Sequence, residues 1–170
     1  MRRDKESMAR HMHLSTAVTM GDKKGLWKGD AMKKVRVWIV EDNEPDIFLM
    51  QLALEKTSIP VDTTVVRSGE EALRFLGECN DGTRDCPDLL FLDFHLPQVS
   101  GPQLLGSILG SEALEKTRVV VFSSMPTPPA VQGVDWNVFH YVQKPTSLES
   151  FQTRVLAQVK LAYGEEGGAC

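Results

Sequence analysis

The sequence has 170 residues, of which 42% are hydrophobic and 25% are charged, a composition typical of a globular protein with one domain. It contains no apolar run of the roughly 18 to 20 residues that a membrane span needs, and its basic N-terminal segment lacks the apolar core of a secretory signal. The three cysteines match no metal-ligand spacing, which favours reduced thiols in loops or at the surface of a cytoplasmic protein.

Charge divides the chain near residue 34. Residues 1–34 contain nine Lys or Arg and four Asp or Glu, whereas residues 35–170 contain ten and nineteen. The first segment also has few large apolar residues and no periodic pattern, so we expect a basic, disordered tail over residues 1–34. The folded domain is expected over residues 35–163, with a short C-terminal tail over 164–170.

The folded part alternates strand patterns with helix patterns. Apolar and β-branched runs predict five strands, at 35–40, 61–66, 89–92, 118–122 and 139–143. Apolar residues at helical spacing and N-terminal capping residues predict one helix that follows Asn43 and three others, at 68–78, 101–109 and 147–163. Strands separated by helices favour a parallel sheet covered on both faces, which is a three-layer α/β sandwich.

The segment between the fourth and fifth strands departs from this alternation. Residues 123–139 read SSMPTPPAVQGVDWNVF, and three prolines and Gly133 leave room only for a short or irregular fourth helix. Two interpretations stay open. Either this segment is an unusual partner surface with Trp136 and Phe139 partly exposed, or it is a remodelled edge of the domain.

Polar side chains follow four of the predicted strands. Glu41 and Asp42 follow the first strand, Asp93 the third, Ser123 the fourth and Lys144 the fifth. Because ligands of open parallel sheets collect at the carboxyl ends of the strands, we expect these side chains to share one edge. Three carboxylates repel one another and favour a hard divalent cation with oxygen ligands, and Mg²⁺ completed by water and phosphate oxygens suits such a site.

A carboxylate beside such a cation has a characteristic reactivity. It can attack phosphorus and form an acyl phosphate, while the cation and Lys144 neutralise charge on the transferred group. Ser123 is then placed to donate a hydrogen bond to a phosphoryl oxygen. The stretch LLFLD over residues 89–93 therefore predicts a reactive Asp93 at the end of a buried strand.

The order and spacing of these residues resemble the receiver domain of two-component response regulators, the CheY-like superfamily. The resemblance covers about residues 35–160. It rests on the pair LP that ends four residues beyond Asp93 and on six matching positions, which are Glu41, Asp42, Asp93, Gly101, Ser123 and Lys144. Within that family, the stretches VEDNEPD, LLFLDFHLPQVSG and YVQKP resemble single-domain regulators that serve phytochrome-type and other hybrid histidine kinases. The resemblance implies a flavodoxin-like strand order 2-1-3-4-5.

The resemblance also implies a role for each matching residue near the phosphoacceptor. Asp93 accepts the phosphoryl group from a phosphohistidine of the kinase. Asp42 and Asp93 bind Mg²⁺, Glu41 acts on the metal directly or through water, and His95 contributes its backbone carbonyl. The His95 side chain is interpreted as an exposed loop group that tunes the phosphoryl lifetime.

The remaining matches imply a switch. Ser123 is the switch hydroxyl, Lys144 the phosphate partner and Tyr141 the aromatic residue that turns inward on activation. Plainer interpretations stay open for some of these side chains. Tyr141 can be half-buried packing only, and Ser124 is interpreted as a small packing residue rather than as a second switch hydroxyl.

The expected protein is a single-domain phosphoacceptor that signals by a conformational switch through protein contacts, and not an enzyme. Its expected partners are a histidine kinase, including those of the phytochrome type, or a phosphotransfer protein, and a homodimer would follow family habit. Only GEEGGAC follows Tyr163, so no direct DNA binding is expected. Two alternatives stay open: a pseudo-receiver that acts by association alone, and an aspartyl phosphatase, which would need a second Asp at the position of His95.

Overall fold

Five parallel strands form one sheet in the order β2-β1-β3-β4-β5. The structure is a computed structural model, and it describes residues 33–167 except 129, 132, 133, 135, 137 and 138, without the side chains of 165–167. The strands are β1 (Val35–Val40), β2 (Val61–Val66), β3 (Leu89–Leu92), β4 (Arg118–Ser123) and β5 (His140–Gln143). This order and the helices on both faces confirm the predicted three-layer α/β class.

In the described part of the chain, four helices connect or follow the strands. They are α1 (Glu44–Leu54), α2 (Gly69–Asn80), α3 (Gly101–Leu109) and α4 (Leu148–Gly167), with a short 3₁₀ turn at Glu112–Leu114. The side chain of Asn43 caps α1 by accepting the Asp46 backbone N–H at 3.1 Å, and Ser68 caps α2 by accepting that of Glu71 at 3.2 Å. Such caps satisfy donors that a helix start leaves unpaired. No helix in the described part of the chain is long and apolar enough to cross a membrane.

Most predicted boundaries agree with the structure, and the differences lie at element ends. Ser147 precedes α4 as a capping residue, since its hydroxyl accepts the backbone N–H of Ser150 at 3.3 Å. The last helix continues to Gly167, four residues beyond the predicted end at Tyr163, so the segment predicted as a C-terminal tail begins in helix. Of the N-terminal tail predicted over residues 1–34, only Lys33 and Lys34 lie within the described residues.

The sheet has one apolar cluster on each face. On one face, Trp38 and Leu90 pack with residues of α2 and α3 such as Leu76 and Leu104. On the other, side chains of the central strands pack with residues of α1 and α4: Ile39, Phe91, Met50, Ala53, Phe151 and Val155. Because β3 is buried along its whole length, the two clusters hold its carboxyl end in a fixed position.

The segment between β4 and β5 contains no helix among its described residues. Phe139 is buried with 4% exposure, which contradicts the interpretation in which it is partly exposed. Trp136 is half-buried, and its ring lies 6.4 Å from that of Phe139 and 5.6 Å from that of Tyr141. The described residues favour a remodelled edge in which aromatic rings pack inward.

The cysteines differ partly from the prediction. Cys79 lies in α2 and is buried, because it is on the face of that helix that packs against the sheet, so its placement in a loop or at the surface was wrong. Cys86 is half-buried, between α2 and β3. Cys170 lies outside the described residues.

Candidate phosphoacceptor site

The carboxyl ends of the strands bring together the residues that the sequence predicted. Glu41 directly follows β1, Asp93 follows β3, Ser123 ends β4 and Lys144 follows β5. Backbone hydrogen bonds extend the sheet into the site, since the N–H of Asp93 donates to Val40 at 2.9 Å and that of Lys144 to Ser123 at 2.7 Å. These bonds hold the backbone of Asp93 and Lys144 in fixed positions at the end of the sheet.

Three carboxylates form a candidate metal site. One oxygen from each of Glu41, Asp42 and Asp93 lies within 4.8 Å of the others. Glu41 and Asp93 are buried, with 1% and 8% exposure, whereas Asp42 is exposed. Hard cations prefer such oxygen donors, and a rim open at Asp42 leaves room for the waters that Mg²⁺ retains. The donor set fits the predicted divalent metal.

Lys144 lies among carboxylates on the inner side of the site. Its Nζ is 2.6 Å from Glu41 Oε2, 2.8 Å from Asp46 Oδ2 and 3.2 Å from Asp93 Oδ2. The Lys144 side chain is only 9% exposed, so water contributes little to its solvation. The lysine is therefore a fixed positive charge beside the predicted phosphoacceptor, and the carboxylates compensate the cost of burying it.

Burial and charge shift the pKa values of two of these groups. Burial raises the pKa of Glu41 to about 7 and the nearby Asp93 carboxylate acts in the same direction, although Lys144 opposes both. For Lys144, burial alone would lower the pKa, but hydrogen bonds to Asp46 and Glu41 raise it above its ordinary value. The lysine is accordingly cationic at all physiological pH values, while Glu41 changes its charge near neutrality.

Asp93 accepts a hydrogen bond from the loop that follows it. The backbone N–H of His95 donates to Asp93 Oδ1 at 3.2 Å, and the His95 ring is exposed, as predicted. The His95 N–H contacts Oδ1 of the Asp93 carboxylate, whereas the Lys144 ammonium contacts Oδ2. The predicted contribution of the His95 carbonyl to a metal remains a prediction.

Ser123 and Tyr141 contact the same short segment after β4. Ser123 is fully buried, and its Oγ accepts the backbone N–H of Met125 at 3.3 Å. The Tyr141 hydroxyl donates to the Met125 carbonyl at 2.8 Å, and its ring is half-buried against Trp136. Both predicted switch residues are thus attached to the backbone of Met125. Ser124 is exposed, so its interpretation as a packing residue is wrong.

The sequence analysis missed the part that Asp46 plays. Asp46 lies in the first turn of α1, where an acidic residue is already favourable beside the helix N-terminus. Asp46 also accepts a hydrogen bond from Lys144, which lies 98 positions further along the chain. Only the placement of α1 against the end of β5 makes this contact visible.

Comparisons with known proteins bear on the whole folded part of the chain. The family model of the response regulator receiver domain matches residues 37–156. The probable methanogenesis regulatory protein FilR2 of Methanothrix harundinacea is 31% identical over 140 residues, which cover 80% of this chain and 90% of that protein. The response regulator Rcp1 of Synechocystis is 32% identical over 91 residues, 52% of this chain and 60% of that protein. The chain spans about half of another relative, the phosphate regulon protein PhoB of Rhizobium meliloti, of which the match covers 54%.

Solved structures agree with these matches. The phosphorylated cyanobacterial phytochrome response regulator RcpA aligns with a TM-score of 0.63 and 28% identity, over 74% of this chain and 91% of that chain. The Mn²⁺-bound form of response regulator Rcp1 aligns with a TM-score of 0.61 and 24% identity, over 72% and 90%, and supports the fold.

Proposed function

This chain belongs to the response regulator receiver domain family, as its motifs predicted, and we propose that it accepts a phosphoryl group on Asp93 in a Mg²⁺-dependent reaction. The observation that carries the proposal is the setting of the Asp93 carboxylate. It is 8% exposed, 3.2 Å from the Lys144 ammonium and part of a three-carboxylate cluster. Such a cluster of negative charges is costly unless cations compensate it, which Lys144 does in part and a divalent metal would complete.

The residues divide the chemistry among them. A carboxylate oxygen of Asp93 attacks the phosphorus of a phosphohistidine, the P–N bond breaks, and the imidazole leaves with the electron pair and takes a proton from solvent. Mg²⁺ held by Asp42, Asp93 and Glu41 would neutralise negative charge on the transferred group. Lys144 supplies a second positive charge from the protein itself.

The switch begins at the new charge on Asp93. A phosphoryl group brings a charge of roughly −1.5 to −2 and three strong acceptor oxygens. The Ser123 hydroxyl would donate a hydrogen bond to one of these oxygens, and its contact with the Met125 N–H would weaken. The Met125 carbonyl also accepts the Tyr141 hydroxyl. Tyr141 would then be free to turn inward, and the backbone at Met125 would move with it.

The donor would be a histidine kinase or a phosphotransfer protein. A phytochrome-type kinase is the specific candidate, because RcpA is a phytochrome response regulator and is 28% identical to this chain. The output would be a protein contact made in the cytoplasm, with self-association of two copies as one form of it. The protein would act as a phosphoacceptor and not as an enzyme with its own substrate turnover.

Phosphorylation of the full chain tests the proposal. Purified protein is incubated with Mg²⁺ and either acetyl phosphate or a panel of phosphorylated histidine kinases, and uptake is followed by intact mass. We expect one phosphoryl group per chain with Mg²⁺ and none with Asp93→Asn. Asp62→Asn is the matched control, because Asp62 is an exposed carboxylate on the edge strand β2 and lies outside the cluster.

Two other results would contradict the proposal. Absence of phosphorylation from every donor, with partner binding unchanged by Asp93→Asn, would favour a pseudo-receiver. Steady hydrolysis of a small phosphate ester would favour a phosphatase, although the position two residues after Asp93 is His95 rather than a second carboxylic acid.

A further inference from the structure

Asp46 is a fourth carboxylate at the site, and its contacts differ from those of the other three. Its Oδ2 lies 2.8 Å from Lys144 Nζ, closer than the Asp93 oxygen at 3.2 Å. Yet Asp46 does not belong to the cluster of Glu41, Asp42 and Asp93 that fits a metal. Its contact at the site is directed to the lysine.

The first turn of α1 fixes Asp46 in this position. The Asp46 backbone N–H donates to the capping side chain of Asn43 at 3.1 Å, which fixes the first turn of the helix. The Asp46 side chain is 27% exposed and therefore partly shielded from water. Glu44 belongs to the same turn but pairs with Arg67 at 2.8 Å, and both of those side chains are more than half exposed. Of these two acids in one helical turn, Asp46 binds the buried lysine and Glu44 does not.

The other two partners of Lys144 have further duties if the proposed function holds. Glu41 faces the metal, and Asp93 receives the phosphoryl group. An ammonium has three donors, so Lys144 can keep one bond to Asp46 while its other donors turn from Glu41 and Asp93 to phosphoryl oxygens. Without Asp46, a long and flexible side chain would have no partner independent of the reaction.

We propose that Asp46 is a positioning residue for phosphotransfer: it holds the Lys144 ammonium beside Asp93 before, during and after transfer of the phosphoryl group. This inference rests on the proposed function for its role in the reaction. The Asp46–Lys144 contact itself does not, and can be tested without metal or phosphoryl donor.

The first experiment measures the lysine in metal-free protein. Lysine acetylation by acetic anhydride is followed residue by residue with peptide mass spectrometry for the wild type, Asp46→Asn and Glu44→Gln. We expect Lys144 to react several-fold faster in Asp46→Asn and at the wild-type rate in Glu44→Gln. Lys56, whose ammonium binds Gln152 at 2.7 Å, is the internal control and should react equally in all three. Equal labelling of Lys144 in all three proteins would overturn the inference.

The second experiment measures the reaction. Asp46→Asn should lower the maximal rate of phosphorylation by acetyl phosphate about tenfold, the order expected for loss of one charge-assisted hydrogen bond. The half-saturating concentration of acetyl phosphate should stay unchanged, because Asp46 holds the lysine and not the donor. Asp46→Glu should recover part of the rate, and Glu44→Gln should match the wild type.

A double variant separates positioning from a general structural defect. In a Lys144→Ala background, Asp46→Asn should cause no further loss, since its effect passes through the lysine. Additive losses, or a wild-type rate in Asp46→Asn, would overturn the inference. If the wild type itself takes up no phosphoryl group, the proposed function fails, and the labelling of Lys144 alone then decides whether Asp46 holds the lysine.

Discussion

Glu41 is a buried acid whose ionisation is poised near neutrality. Its pKa is raised from 4.5 to about 7 in the folded chain, mainly by burial. Between these two pH values the folded state retains a proton that the unfolded state has lost. Stability therefore falls as pH rises through this window and is lowest, for this group, above pH 7.

Glu41→Gln should remove this pH dependence. The variant keeps the shape of the side chain but carries no charge, so metal-free protein should become more stable than the wild type above pH 7, by about 2 kcal/mol. Below the unfolded-state pKa the two proteins should differ little. Urea unfolding at a series of pH values measures the difference, and Glu70→Gln, an exposed acid of α2, is the control. A wild-type stability that rises between pH 5 and about 7 relative to Glu41→Gln would contradict the assignment.

The segment between β4 and β5 is joined to the site by a chain of aromatic rings. The Trp136 ring lies 6.2 Å from that of Phe94, which directly follows Asp93, and 5.6 Å from that of Tyr141. If Tyr141 acts as the switch residue, a change at Asp93 would reach Trp136 both through Phe94 and through Tyr141. An inward turn of Tyr141 would change the surroundings of the Trp136 indole.

Trp136 should therefore report activation by its fluorescence. Beryllofluoride with Mg²⁺, which mimics the phosphoryl group, should change the emission of the wild type but not that of Asp93→Asn. Trp136→Phe should abolish most of the change. Trp38→Phe should preserve it, because Trp38 is buried and packs edge-to-face with Phe75 on the face covered by α2 and α3. A response that persists in Trp136→Phe would show that this segment does not follow the site.

The start of α3 packs closely against the loop that carries Asp93. A Cβ atom on Gly101 would lie 2.7 to 2.9 Å from atoms of Phe94, including its backbone oxygen and Cα. Contacts this short force the backbone to move, and the backbone that moves is adjacent to Asp93. Glycine at this position is thus required by a close approach between two chain segments.

Gly101→Ala should weaken both stability and metal binding. We expect a loss of about 2 kcal/mol in the free energy of unfolding and a higher half-saturating Mg²⁺ concentration, measured by denaturant unfolding and by metal titration. Gly106→Ala is the matched control in the same helix, because a Cβ there meets nothing within 4 Å. It should stabilise α3 by about 0.5 to 1 kcal/mol. Equal effects of the two substitutions would refute the packing argument.

How far the sequence predicted this structure depends on whether the signal is local. The strand LLFL and the acids after it were predictable, because buried parallel strands are continuous apolar runs whose carboxyl ends gather polar ligands. The contact of Asp46 with Lys144 was not, since an acid in a first helical turn already has a local explanation. The exposure of Phe139 was left open, because prolines indicate where a helix stops but not where the following side chains pack.

The amino ends and the carboxyl ends of the strands have different roles: the amino ends stabilise the fold, and the carboxyl ends form the candidate site. At the amino ends of the strands, Asp88 accepts the backbone N–H of Arg36 at 2.7 Å and two side-chain N–H groups at 3.2 and 2.8 Å, which joins the start of β1 to the residue before β3. Burial alone would raise the pKa of Asp88, but these bonds lower it. The stabilisation is therefore present above the unfolded-state pKa of 3.8 and is lost as pH falls through the lower folded-state value.

Asp88→Asn should accordingly reduce stability and leave phosphorylation intact, whereas Asp93→Asn should abolish phosphorylation and leave stability nearly unchanged. Asp88→Asn breaks a partly buried ion pair and should lower the free energy of unfolding at neutral pH by about 2 kcal/mol, while the rate of phosphorylation by acetyl phosphate stays within about twofold of the wild type. Asp93→Asn should abolish phosphorylation at little cost in stability, because Lys144 keeps Glu41 and Asp46 as partners and one repulsive charge is removed. Denaturant unfolding and intact-mass phosphorylation, measured on the same samples, test both predictions. A loss of both stability and phosphorylation in either variant would mean that the amino and carboxyl ends of the strands are not independent.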